Sequence, residues 1–186
     1  VARWNGTTWS AFGSGLPGTL TNVPALRAFD DGSGTALFAA VTPITATGTF
    51  VDERVVRWDG ATWSVAGAGL NSAPATLTTF DDGSGLALYA GGSFTASGAT
   101  PIARVARWTN AGWVAGPAGL VTGGVNSLAA YDDGSGHGLE LYATGAFTLA
   151  NVPGLPNIAR LRGGAWQTIT LASPGQKRII GCDSRQ

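Results

Sequence analysis

The side chains able to do chemistry recur at fixed spacing. Asp-Asp-Gly-Ser-Gly occupies residues 30–34, 81–85 and 132–136, three copies 51 residues apart. Paired carboxylates invite a divalent cation. A Ca²⁺ loop of the EF-hand type, however, needs alternating oxygen ligands and a distal Glu, and no copy supplies the later oxygens. The other chemistry open to these residues is local. Asp bonds its own backbone and Gly32, Gly83 and Gly134 can take positive φ, as a tight hairpin turn requires. Turn formation is the expected role, and no metal site is assigned.

A second marker runs alongside. Arg3-Trp4 with Trp9, Arg57-Trp58 with Trp63, Arg107-Trp108 with Trp113, and Arg160-Leu161 with Trp166 keep a five-residue step between two bulky apolar positions. Repeated indoles serve either as sugar-stacking platforms or as core, each aromatic burying about 150–250 Å². Leu161 in place of Trp favours core at the first position. The second set, Trp9, Trp63, Trp113 and Trp166, opens an outer strand and holds the candidate ligand contacts.

The repeated Arg lies between apolar neighbours, where an unpaired guanidinium is costly. A hydrogen bond or ion pair between neighbouring sheets is expected to satisfy it, with an Asp of the adjacent turn as one candidate partner. A ring of Arg holding an anion is the sharper version. His137 occurs in only one of the turns and reads as solvent-exposed, while Asn5-Gly6-Thr7 reads as a hairpin rather than a glycosylation acceptor. One His and one Cys, Cys182, compose neither a metal cage nor a repeated nucleophile–base pair, and a lone Cys closes no internal disulfide. The chain is therefore expected not to be an enzyme, with no catalytic residue and no cofactor.

Composition narrows the partners. Eleven Lys and Arg balance eleven Asp and Glu in 186 residues, which gives no electrostatic footing on a phosphate backbone. Nucleic acid is set aside. No apolar run approaches the roughly 20 residues that span a bilayer, and Val1 begins in mid-pattern, so both ends read as cut from a longer array. The length suits one domain. The 29 Gly demand frequent turns.

Each period holds four short strand candidates. In the middle copy, residues 75–80 run into the Asp-Asp-Gly-Ser-Gly turn and residues 86–91 lead out of it, a first hairpin. Residues 104–108 and a strand starting at Trp113 make a second, whose equivalents turn at Asn5-Gly6 and Asp59-Gly60, pairs suited to a type I′ turn. No helical stripe survives the Gly and Pro interruptions. Leu86, Leu88 and Ala90 share one face and Ala87 and Tyr89 the other, and Leu139, Leu141 and Ala143 against Tyr142 repeat this. A sheet that is apolar on both faces must be sandwiched. A two-sheet sandwich would leave most strands one polar face; a β-solenoid stays open as an alternative, although the period of its coil is normally far shorter. The expected fold is all-β, made of β-propeller blades: four-stranded antiparallel sheets with a period of about 51 residues.

The chain resembles the kelch-like β-propeller repeats of large, repeat-rich bacterial proteins that are expected to be exported. The likeness lies in Val-Val-Arg-Trp-Asp-Gly-Ala-Thr-Trp-Ser (residues 55–64), in Phe-Asp-Asp-Gly-Ser-Gly-Leu-Ala-Leu-Tyr-Ala-Gly-Gly-Ser-Phe (residues 80–94) and in their copies, and it covers about residues 1–172. The resemblance implies a propeller of several blades, an extracellular or cell-surface location and a binding or scaffolding role. It carries over no catalytic residue. Ala40-Val41-Thr42-Pro43 and Leu161 depart from the pattern, which bears on the regularity of the blades.

Cut by this template, residues 1–15 form half a blade, and blades follow at about 24–67, 75–116 and 125–171, about three and a half in all. Residues 173–186 form a non-repeat tail. Propellers close with about 4–8 blades, so the open ends call for a longer propeller or for association of copies. The expected function is a non-catalytic interaction or adhesion scaffold with a protein or glycan partner. The alternative is a lectin-like propeller with one shallow sugar site per blade.

Overall fold

The computed structural model describes residues 1–16, 19–44, 54–72, 74–150, 152, 154 and 156–169. The 173–186 tail and most of the variable stretch at 41–53 lie outside them. All regular structure among the described residues is β.

A short hairpin, β1 (Ala2–Trp4) and β2 (Trp9–Ala11), comes first. A sheet follows from β3 (Thr19–Asp30), β4 (Thr35–Ile44), β5 (Arg54–Trp58) and β6 (Trp63–Val65). The second sheet opens with β7 (Pro74–Asp81) and β8 (Leu86–Gly92). A two-stranded ribbon, β9 (Ala96–Ser97) and β10 (Thr100–Pro101), interrupts it before β11 (Val105–Thr109) and β12 (Gly112–Ala115). The third sheet is β13 (Leu120–Tyr131), β14 (Glu140–Leu149), β15 (Ile158–Arg162) and β16 (Ala165–Thr168). Each of the three is a four-stranded antiparallel meander in which every strand pairs with its sequence neighbour in the sheet.

Local chemistry explains each reversal. The first Asp of every Asp-Asp-Gly-Ser-Gly accepts the amide of the following Gly, at 2.9, 2.9 and 2.8 Å for Gly32, Gly83 and Gly134. Those glycines have φ of 92°, 95° and 72°, a region that L side chains rarely enter. The second hairpins depart from the type I′ expectation. Gly6 and Gly60 have positive φ, but Asn5 and Asp59 do not. Instead the Asn5 and Asp59 side chains accept two amides each, from Thr7 and Thr8 and from Ala61 and Thr62. Such Asx capping closes a four-residue loop between Trp4 and Trp9, and between Trp58 and Trp63, without a second left-handed residue.

The strands bury both faces, and alternate residues serve different cores. Phe38, Ala40, Phe29 and Val55 of the first sheet share a core with Leu88, Ala90, Trp108 and Trp113 of the second. The opposite face of the second sheet, with Ala87, Tyr89 and Phe80, packs on Leu141, Ala143, Leu161 and Trp166 of the third. Ala39, Val41 and Val56, on the far side of the first sheet, pack with Leu16 and Trp63. The leading strands also touch one another, β3 against β7 and β7 against β13. An Arg27 guanidinium N–H donates to Thr79 Oγ1, and the Leu128 amide donates to Thr76 Oγ1 at 3.3 Å.

The third sheet departs from the two-faced pattern. Glu140, Tyr142, Arg160 and Arg162 share its face away from the second sheet, and Tyr131 there is 48% exposed. Glu140 stands where the other sheets carry Ala36 and Ala87, opposite Phe29 and Phe80. No described sheet covers this face, and its polar residues suit it to water.

Candidate functional site

The repeated polar residues converge at one end of each sheet. Adjacent strands place Arg57 opposite Phe38, Arg107 opposite Tyr89 and Arg160 opposite Tyr142. From there each guanidinium reaches the second Asp of its own sheet's turn: Arg57 to Asp31 at 3.0 Å, Arg107 to Asp82 at 3.8 Å and Arg160 to Asp133 at 3.7 Å. The expected ion pair therefore exists, but it ties the turn to the third strand within one sheet and does not bridge neighbouring sheets. The turn Ser completes it. Ser33 and Ser84 Oγ accept from Arg57 at 2.6 Å and from Arg107 at 2.9 Å, while Tyr89 donates its hydroxyl proton to Asp82 at 2.7 Å.

The third sheet elaborates the pattern. Glu140, whose side chain is 5% exposed, accepts from Arg162 through both guanidinium Nε and Nη2 and lies 3.8 Å from Arg160. Sequence reading missed Glu140 and Arg162. The available signal was the exchange of Ala for Glu at the position aligned with Ala36 and Ala87.

These contacts set the acidities. Burial pushes the Asp31 and Asp82 carboxyls up, but bonds from Ser33 and Arg57, and from Ser84 and Tyr89, outweigh it and leave both below the ordinary range. Bonds from Ser135 lower Asp133, and the Arg162 bond lowers Glu140. Burial, reinforced by Asp82, holds the Tyr89 phenol well above its usual value. A carboxyl that is more acidic in the folded than in the unfolded chain stabilises the fold above its unfolded pKa, about 4. That stability is lost as pH falls through the lower folded values. Urea unfolding midpoints are therefore expected to be flat from neutral pH to about 5 and to drop below about 4. In an Asp31→Asn/Asp82→Asn double variant the drop should be shallower. An unchanged slope would show that these carboxylates are not held by their partners.

The four candidate ligand-contacting indoles occupy different environments. Trp9 is 69% exposed and lies 5.5 Å from Trp4, ring centre to ring centre. Trp63 is half-buried and packs on the far side of the first sheet. Trp113 and Trp166 are buried in the cores between sheets, and Trp166 donates its indole N–H to the Pro117 carbonyl at 3.1 Å. The gradient follows from position, because each of these indoles faces the preceding sheet and no preceding sheet lies against Trp9 among the described residues.

Two clefts open at matching places between the turn ends of successive sheets. One, of about 370 Å³, lies between Asp30, Asp31 and the Trp108–Asn110 segment. The other, of about 320 Å³, lies between Asp81, Asp82 and Leu161–Gly164, with His137 and Leu139 alongside. His137 is exposed and its Nδ1 lies 2.9 Å from Ser135 Oγ. Among the described residues no group of three or more His, Cys, Asp or Glu is placed to hold a metal ion. No described helix is long and apolar enough to cross a membrane.

No protein-family model, no curated protein and no solved structure matches the chain.

Proposed function

We propose that the chain is a non-catalytic interaction scaffold built from β-propeller blades of the kelch-like kind and presented outside the cell or on its surface. One observation carries this reading: in the three four-stranded sheets the polar residues that repeat are committed to holding the repeat together. Each turn Asp accepts backbone amides or pairs with an Arg, and each turn Ser bonds to that Asp or Arg. The propeller part of the proposal draws on the four-stranded meander, the face-to-face cores and the mutual contact of the leading strands β3, β7 and β13. His137, present in only one of the three turns, lies exposed on a connection, where binding specificity is placed without cost to the core.

A glycan-binding reading retains one specific support, the exposed Trp4 and Trp9 pair. Binding of the purified chain to immobilised extracellular proteins and to glycan arrays at low and high density separates the two. The scaffold reading expects protein binding that survives periodate oxidation of sugars and no glycan signal. A glycan signal that rises with density and disappears in Trp9→Ala would replace it with the lectin-like reading.

A further inference from the structure

We propose that the cleft between the second and third sheets is a docking site for a lysine side chain of a partner protein. The cleft, of about 320 Å³, has apolar walls from Phe80, Pro117, Leu139 and Leu161, and Asp81, Asp82, Arg162 and His137 also line it. Leu139 is 64% exposed, and Leu86, at 63%, borders the matching cleft between the first and second sheets. Neither leucine belongs to a core. Two successive gaps therefore offer water a large apolar side chain at the same place, beside the same turn Asp.

One charge at the cleft is left over. Asp82 is saturated: its Oδ1 accepts from the Ser84 amide and hydroxyl, its Oδ2 accepts from Tyr89, and Arg107 lies 3.8 Å away. Arg162 is held by Glu140 through both Nε and Nη2. Asp81 differs. Its Oδ1 accepts the Gly83 and Gly85 amides at 2.9 and 3.0 Å, but its Oδ2 has no partner and the exposed carboxylate no cation among the described residues. Asp30 in the matching cleft is bonded in the same way, to Gly32 and Gly34 at 2.9 and 3.1 Å.

The open oxygen selects the cation. A guanidinium recognises a carboxylate best through two parallel N–H···O bonds, which need both oxygens, and two amides already fill the lone pairs of Asp81 Oδ1. An ammonium is a point charge that one oxygen satisfies. Lysine also brings a four-carbon stem that lies along apolar surface while its head reaches a charge, which suits Leu139 and Leu161 in the same cleft as Asp81. The proposal rests on the scaffold reading, which supplies a protein as the partner, and it names the chemistry by which that partner is held.

The test titrates the full chain with Nα-acetyl-lysine methylamide and, in parallel, with its arginine and norleucine counterparts. NMR follows the Leu139 methyls and the ring protons of His137, the only histidine in the chain. The lysine derivative is expected to saturate with a Kd on the order of 1 mM, and the other two to bind about fivefold more weakly, the worth of one exposed ion pair. Asp81→Asn keeps an oxygen for the Gly83 and Gly85 amides, so the turn is retained, and it is expected to weaken the lysine derivative by the same factor. Asp132→Asn, at a turn that borders neither cleft, should leave it unchanged. The proposal is overturned if the shifts do not saturate, if the norleucine or arginine derivative binds as well as lysine, or if the two Asn variants bind alike. Any of these results removes the site and leaves the scaffold reading standing, because the glycan and protein arrays decide that reading separately.

Discussion

Truncation of Trp108 to alanine is expected to lower the unfolding free energy by about 3–5 kcal/mol, the usual range for removing a buried indole from a core that cannot collapse around the gap. Trp108 is 8% exposed, meets Phe38 edge-on at 5.7 Å across the gap between the first two sheets, and meets Trp113 at 5.1 Å. It therefore belongs to both sheets, and its loss should weaken the contact between them as well as the second sheet itself. Leu161 occupies the equivalent position one sheet later and is buried there, so Trp108→Leu is expected to cost about half as much. Urea unfolding followed by far-UV circular dichroism measures both. An alanine variant within about 1 kcal/mol of the original would show that the indole is not part of the shared core.

Gly123→Ala should be comparably damaging for a different reason. Gly123 lies at an irregularity in β13, where pairing with β14 slips between Leu120 and Gly123, and its φ is +76°. A methyl group there would run into the backbone carbonyl of Ala146 on the partner strand, which cannot swing aside as a side chain can. Left-handed backbone costs an L residue about 1–2 kcal/mol, and displacing the ladder raises the expected total to about 2–4 kcal/mol. Gly134→Ala is the control. Its φ is +72°, but nothing lies within 4 Å of the added atom, so only the backbone cost remains. Equal destabilisation of the two variants would show that the approach of β14 contributes nothing.

The parts of the fold legible in the sequence are those set by local chemistry repeated in register. The Asp-Asp-Gly-Ser-Gly turns, the strands on either side of them and the two-faced burial of Leu88, Ala90, Ala87 and Tyr89 follow from turn geometry and period-2 alternation. The Arg–Asp pairing was legible in its chemistry but not in its direction, because residues 26 positions apart in sequence, such as Asp31 and Arg57, meet only through the register of two hairpins. Loop closure at Asn5 and Asp59 was misread because the dipeptides Asn-Gly and Asp-Gly also fit a longer loop capped by the side chain. The ribbon of β9 and β10, two residues on each strand, is too short to leave any periodic signal. The burial of Trp113 and Trp166 against the openness of Trp9 was out of reach, since it depends on which sheet lies alongside and not on the indole's own neighbours in sequence.

The third turn carries two residues that its counterparts lack, His137 and Gly138, yet Tyr131 still stands opposite Glu140 just as Phe29 stands opposite Ala36 and Phe80 opposite Ala87. The extra length costs the outermost rung, which pairs Asp30 with Thr35 and Asp81 with Leu86 in the other sheets, and leaves the rungs below it in register. Foreign peptides grafted at this tip should be displayed without remodelling their support. Diversification could proceed there by splicing while the scaffold stays constant.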